Sequence, residues 1–340
     1  MFDEYLDEVF LIVLVTFLFS ALIMPLTSKI AYHIGAIDVP KDQRRVHKKP
    51  TPKLGGLGIF ASFLFGYMLF GVQSTEMNSI LIASFIMLIT GIIDDIKTID
   101  AKYQLLGHFL ATCVVVFYGN ILLSNITVFG MNIEFGIFAY PITIMFILGI
   151  TNAIKLIDGL DGLSSGLSSI FYLTIGVISF FQGKVNTLET TLTFIMLGST
   201  LGFLVHNFNP ASLFAGEAGT YIMGFTIAII SLLGYKGTLI TSIFVPVLIL
   251  AIPILDTLLA ILRRKLKGIS ISEPDKEHLH HQIMSMNVSQ KNTVLIIYAV
   301  AILFSIGSIF YALKDPIIAL IFFGLLSILV IWFVLHSTIL

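Results

Sequence analysis

The sequence predicts an all-α integral membrane protein with about eleven transmembrane helices, and three observations carry that expectation. Of its 340 residues 57% are hydrophobic and 11% charged, against about a quarter charged in soluble domains, and the mean hydropathy is +0.99. Eleven continuously apolar segments, at 9–29, 54–72, 78–94, 104–123, 136–154, 163–182, 189–206, 218–234, 238–262, 293–313 and 316–336, have the roughly 17–25 residues that cross a bilayer as helix. None alternates polar and apolar residues as a membrane strand does.

Taken in order, the first segment follows the acidic start MFDEYLDE rather than the basic start of a cleavable leader, and reads as a retained helix. Cys113 is the single cysteine and lies inside an apolar segment, which excludes a disulfide framework or a cysteine-based metal site. The formal net charge of −1 offers nothing to a nucleic-acid partner, since any basic patch must be local. The whole of 1–340 reads as one polytopic domain.

Orientation follows from Lys and Arg. With the N-terminus outside, the inner segments hold seven basic residues at 29–53, two at 97 and 102, one at 155 and six at 263–291, which is 16 of the 19. Lys184, Lys236 and Lys314 remain outside. The positive-inside rule then places the C-terminus in the cytoplasm, with inner loops at 30–53, 94–103, 155–163, 207–218 and 263–292. Asp94, Asp95, Asp158, Asp161, Glu217 and Asp256 all fall at or near inner helix ends. One such carboxylate is easily a solvated helix end. Six at one face, beside basic loops, suit a metal and a polyphosphate.

Each cluster has its own chemistry. DVPKDQRRVHKKPTPKLGG at 38–56 gathers Arg44, Arg45, His47, Lys48, Lys49 and Lys53; such a stretch sets topology and attracts anionic headgroups, or steers a nucleotide. Adjacent Asp94 and Asp95 point roughly 100° apart on a helix, so one faces a cavity while the other braces the backbone or a lysine. DGLDG at 158–162 places Asp158 and Asp161 on one face if helical, with glycines that admit close approach. In SEPDKEHLHHQIM at 272–284, His278, His280 and His281 suit phosphate oxygens better than zinc, there being no HExxH-type partner.

These blocks, with Asp-x-Pro…Arg-x-Val-His-x-x-Pro-x-Pro-x-x-Gly-Gly at 38–56, then Asp94-Asp95, NAIKLIDGLDGL at 152–163, NFNPASLFAGEAGT at 207–220, PILDT at 253–257 and HLHH at 278–281, stand in an order that resembles the polyprenyl-phosphate hexosamine-1-phosphate transferases. That superfamily includes the enzymes that start enterobacterial common antigen and wall teichoic acid and, more distantly, the phospho-MurNAc-pentapeptide translocase. The segment count and HLHH resemble the GlcNAc-1-phosphate branch. The resemblance implies a multi-pass plasma-membrane enzyme, active at the cytoplasmic face. There undecaprenyl phosphate attacks the β-phosphorus of a UDP-N-acetylhexosamine such as UDP-GlcNAc, releasing UMP and starting a cell-envelope polysaccharide. It implies catalytic roles for Asp94, Asp95, Asp158 and Asp161. Substrate contacts fall to Arg45, His47, Lys53, Lys102, Asn152, Asn207, His278, His280 and His281. It also implies Mg²⁺, or Mn²⁺, near Glu217 and Asp158, and a homodimer. Asp256 receives no role.

The departures are specific. Lys155 stands where the family has Asn before DGxDG, Glu217 where it has Asp, Gln104 where a Lys is usual, His108 where a Gln follows, and Gln282 where an Arg often follows the double His. An amide has become a cation and a cation an amide. Two alternatives to an active transferase therefore stand: an altered paralogue whose Lys155 pairs with Glu217 in the metal site, and a transporter. The one-sided acids and the lack of a half-to-half repeat of broken helices count against the latter.

Overall fold

A computed structural model describes residues 2–40, 49–128, 131–184, 187–235, 244–266, 268, 278–313, 321–328 and 332. In order the helices are α1 (Phe2–Ile34), α2 (Gly55–Phe70), α3 (Thr75–Ile96), α4 (Ala101–Cys113), α5 (Ala139–Ile157), α6 (Leu163–Phe181), α7 (Leu188–Asn207), α8 (Gly216–Tyr235), α9 (Phe244–Ile249), α10 (Ala251–Leu266), α11 (Leu279–Ser285) and α12 (Gln290–Leu313). Two antiparallel ribbons join them: β1 (Ile37–Asp38) with β2 (Thr51–Pro52), and β3 (Asn125–Val128) with β4 (Met131–Glu134).

Seven helices among the described residues, α1, α3, α5, α6, α7, α8 and α12, are long and apolar enough to cross a membrane. The other four apolar segments hold shorter helix. α2 has 16 residues, α4 passes into a π-helical stretch at Val114–Tyr118, 238–262 contains α9 and most of α10, and 316–336 is helical at 321–328. Helix starts follow local chemistry: the Ser74 and Thr187 side chains accept from the Met77 and Thr190 amides at 3.0 and 3.2 Å, satisfying donors that a helix N-terminus leaves free.

The bundle is organised around α8. Tyr221, Ile222, Met223, Phe225 and Ile227–Ile230 are all fully buried, and α8 packs against α2, α3 and α5. Apolar side chains on α1, such as Phe10 and Leu22, stay exposed, as lipid contact requires. In lipid there is little hydrophobic drive between helices, so close backbone approach and hydroxyl hydrogen bonds hold them. α1 meets α7 in this way: Cβ atoms on Gly198 and Gly202 would lie 2.6 Å from the Val13 carbonyl and 2.5 Å from the Phe17 carbonyl, while Ser20 donates to the Ser199 carbonyl at 2.7 Å.

DGLDG is not helical. α5 ends at Ile157, and Asp158–Gly162 form a turn before α6, because Gly162 takes φ +82°, a left-handed conformation open to glycine. The shared helical face expected for Asp158 and Asp161 is replaced by a tight loop.

Gly202→Ala should therefore destabilise the protein by about 1–3 kcal/mol, since the new methyl meets backbone. Gly149→Ala, with nothing within 4 Å, should leave stability unchanged or slightly raised. Thermal unfolding in detergent measures both.

Candidate active site at one end of the bundle

The site begins where α3 meets the first turn of α8. A buried helix N-terminus presents unpaired N–H groups, and Asp95 satisfies two: its Oδ1 accepts from the Glu217 amide at 3.0 Å and its Oδ2 from the Ala218 amide at 3.3 Å. Lys53 Nζ lies 3.6 Å from the same carboxylate. The approach needs glycine, as a Cβ on Gly91 would lie 2.2 Å from Ala218 Cα and one on Gly56 2.2 Å from the Gly219 amide nitrogen. Asp94 is committed elsewhere. Its Oδ1 accepts from the Ile99 amide at 2.8 Å and its Oδ2 from Gln104 Nε2 at 2.9 Å.

The DGLDG turn forms the next wall. Asp158 Oδ1 accepts from the Ser164 hydroxyl at 2.5 Å. Asp161 Oδ2 accepts from Asn209 Nδ2 and the Ala211 amide, both at 3.0 Å. Asn207 Oδ1 accepts from the Gly162 amide at 3.2 Å and the Ser165 hydroxyl at 2.7 Å, and Asn207 Nδ2 donates to the Leu213 carbonyl at 3.0 Å. Tyr298 donates to the Gly162 carbonyl. A loop that carries two carboxylates is thus tied to three other segments.

Together these elements enclose a cavity of about 340 Å³, lined by Asp38, Lys53, Asp95, Lys155, Asp158, Gly159, Asp161, Asn207, Glu217 and Gln290 among others. Burial holds the Asp158 carboxyl at about 7, with Glu217 and Asp161 adding to the rise and Ser164 opposing it. Of the groups on this cavity, Lys53 and Lys155 can pair with the oxygens of a phosphate ester, while the carboxyl groups can accept its hydrogen bonds or take its proton.

Of the residues expected to act, Lys53, Asp95, Asp158, Asp161, Asn207 and Glu217 are brought to this cavity. The histidines adjoin it through His280, whose Nε2 would lie 2.4 Å from a Cβ on Gly159. His280 stacks with His278 and lies 4.3 Å from His281 between ring centroids; burial lowers its imidazole to about 3. Asn152 instead donates to the Leu148 carbonyl at 2.8 Å, and Lys102 is an exposed partner of Asp100 at 3.4 Å, so neither is brought there. Arg45 and His47 lie outside the described residues.

Sequence reasoning gave Asp256 no role. Its Oδ2 pairs with His278 Nδ1 at 2.8 Å and its Oδ1 accepts from the Leu279 amide at 2.8 Å, so it fixes both the first histidine and the start of α11. It also missed that the substitutions at 104 and 155 meet. Lys155 Nζ donates to Gln104 Oε1 at 2.5 Å and to Tyr221 Oη at 3.1 Å, and lies 3.3 Å from Glu217 Oε2. Buried His108 packs edge-on against Tyr221 with ring centroids 4.1 Å apart. The two carboxylates expected to hold Mg²⁺ or Mn²⁺ are already engaged, Glu217 by the Lys155 ammonium and Asp158 Oδ1 by the Ser164 hydroxyl, so a metal ion there would have to displace a cation from Glu217.

Comparison with known proteins gives the same family signal. Residues 77–235 match the family described as Glycosyl transferase family 4. A probable undecaprenyl-phosphate N-acetylglucosaminyl 1-phosphate transferase of Bacillus subtilis (strain 168) is 41% identical over 312 residues, covering 91% of this chain and 86% of the relative. A decaprenyl-phosphate N-acetylglucosaminephosphotransferase of Mycobacterium tuberculosis (strain ATCC 25618 / H37Rv) is 31% identical over 84% of this chain and 79% of its own length. An undecaprenyl-phosphate alpha-N-acetylglucosaminyl 1-phosphate transferase of Escherichia coli (strain K12) is 30% identical over 86% and 81%.

The position of Asp158 yields a stability test. A carboxyl near 7 when folded and near 4 when unfolded binds more protons in the folded state between those values, so its contribution to stability is full at low pH and falls as pH rises to about 7. The difference in melting temperature between wild type and Asp158→Asn should shift against wild type between about pH 5 and 7 and level off above. A difference independent of pH would contradict this environment.

Proposed function

Because this chain belongs to Glycosyl transferase family 4, and within it to the polyprenyl-phosphate N-acetylglucosamine-1-phosphate transferases, we propose that it transfers GlcNAc 1-phosphate from UDP-GlcNAc to undecaprenyl phosphate. A lipid phosphate oxygen attacks the β-phosphorus, the bond from that phosphorus to the bridging oxygen breaks, and UMP leaves with the electron pair. The product is the lipid-linked sugar diphosphate that begins a cell-envelope polysaccharide. One observation carries the reading: Asp95, Asp158, Asp161, Lys53 and Lys155 share one cavity.

Attack of one anion on another is limited by charge and position rather than by covalent help from the protein. Lys53 and Lys155 supply positive charge to the phosphates. The lipid phosphate is already largely ionised near neutral pH, so Asp158 serves to orient it or to take its residual proton. His280, lying on Gly159, lines the approach for the sugar or diphosphate. The reading places eleven helices across the plasma membrane with the cavity in the cytoplasm, and it accommodates a homodimer. A second reading, a chain that binds these substrates without transfer, draws on the Lys155–Glu217 pair.

Purified protein with undecaprenyl phosphate and radiolabelled UDP-GlcNAc should move label into chloroform, with UDP-MurNAc-pentapeptide a poor donor. Asp158→Asn should lower the rate by about 10²-fold or more. Label that stays aqueous under all conditions would favour the second reading. For orientation, reporter fusions after Lys236 should be external and after Gln282 cytoplasmic; a cytoplasmic Lys236 would overturn the arrangement.

A further inference from the structure

The strongest observation that this function leaves unused is the surround of Lys155. Three oxygens of different chemistry converge on one ammonium: Gln104 Oε1 at 2.5 Å, Tyr221 Oη at 3.1 Å and Glu217 Oε2 at 3.3 Å. Two of these contacts are hydrogen bonds and the third is an ion pair, Glu217 Oε2 making no hydrogen bond of its own, and the Tyr221 ring centroid lies 5.2 Å away, within cation–π range. Such an oxygen cage on a cavity wall is what a small cation otherwise collects.

The cage is held from behind. Gln104 Nε2 donates to Asp94 Oδ2 at 2.9 Å and to the Ile99 carbonyl at 3.2 Å, so its amide cannot turn over without setting its oxygen against two acceptors. The amide oxygen is therefore fixed toward residue 155. Lys155 is in turn placed by α5 and Glu217 by the first turn of α8, whose start Asp95 pins. Moving the ammonium aside would leave the Glu217 carboxylate and the Gln104 carbonyl unpaired in a half-buried setting, which is costly.

We propose that the Lys155 ammonium takes the place of a divalent cation beside Glu217, so that this chain excludes metal from that pocket and binds a nucleotide diphosphate without it. The nucleotide half rests on the proposed function. A metal ion on Glu217 would sit within a few ångströms of a positive nitrogen that has no lone pair to offer. The ammonium, with 20% of its side chain exposed to the cavity, still presents charge to an incoming phosphate.

Two measurements on full-length, metal-stripped protein in detergent decide it. In the first, Mn²⁺ alone is titrated and free Mn²⁺ followed by electron paramagnetic resonance. Wild type and Glu217→Gln should bind alike, while Lys155→Asn should gain one site about tenfold tighter or better, lost again in Lys155→Asn/Glu217→Gln. Wild-type Mn²⁺ binding that Glu217→Gln abolishes overturns the proposal, whatever the Lys155 variants do. In the second, UDP binding by wild type should change less than about threefold between EDTA and Mg²⁺. A loss of about tenfold or more in EDTA overturns it. Failure of UDP to bind in either condition sinks the nucleotide reading, while the Mn²⁺ result still decides metal exclusion.

Discussion

The arrangement depends on one carboxylate placed against one helix end. α8 is largely enclosed, and its first turn packs against α2 and α3 on one side while it lines the cavity on the other, so the free N–H groups on the packed side need a protein acceptor. Asp95 provides it from the end of α3, with favourable charge against the positive end of the helix dipole. Lys53 completes the contact, and backbone bonds from Gly55 and Gly56 to the Phe214 and Ala215 carbonyls, each 2.9 Å, bring α2 to the same point. Gly216, at φ +69°, lets the chain turn into α8 without striking Asp95, whose Oδ2 would lie 2.4 Å from a Cβ there. Three helices are registered at one level, and the cavity opens beside it.

The remaining walls repeat the same solution. Polar side chains here bind backbone of other segments: Asp161 holds the Ala211 amide, Asn207 the Gly162 amide and the nearby Leu213 carbonyl, and Asp256 the Leu279 amide. Where water is scarce such bonds are stronger and an unmade one is more costly, so loops that would fray in a soluble protein are fixed. That rigidity suits a reaction governed by placement of phosphates.

Much of this was legible in the residues, for identifiable reasons. Long apolar runs declare themselves by length alone, and the 100° divergence of Asp94 and Asp95 foretold that they would separate. Which one faced the cavity was not legible, because that depends on where α8 starts, some 120 residues later in the chain. DGLDG misled because spacing alone permits a shared helical face; Gly162 at positive φ decides against it. Asp256 was silent since its partner comes from a different helix. Lys102 and Asn152 carry the right chemistry, but their side chains are engaged by neighbours at 2 and 4 positions in sequence.

Gln104 and Lys155 meet beside the cavity. Seen separately, each breaks the pattern this chain otherwise resembles, one adding a cation and the other removing one. In the fold they are hydrogen-bonded to each other, so the cation at 155 is held by the amide at 104. The ammonium is carried on α5, beside Glu217. Asp94 then becomes intelligible as well: paired directly with a lysine it would have competed for the cation, whereas paired with the nitrogen of Gln104 it orients the amide that grips Lys155. Four residues from four helices, Asp94, Gln104, Lys155 and Glu217, thus form one chain of alternating donors and acceptors ending at the cavity. A change at any one link alters the field that an incoming phosphate meets.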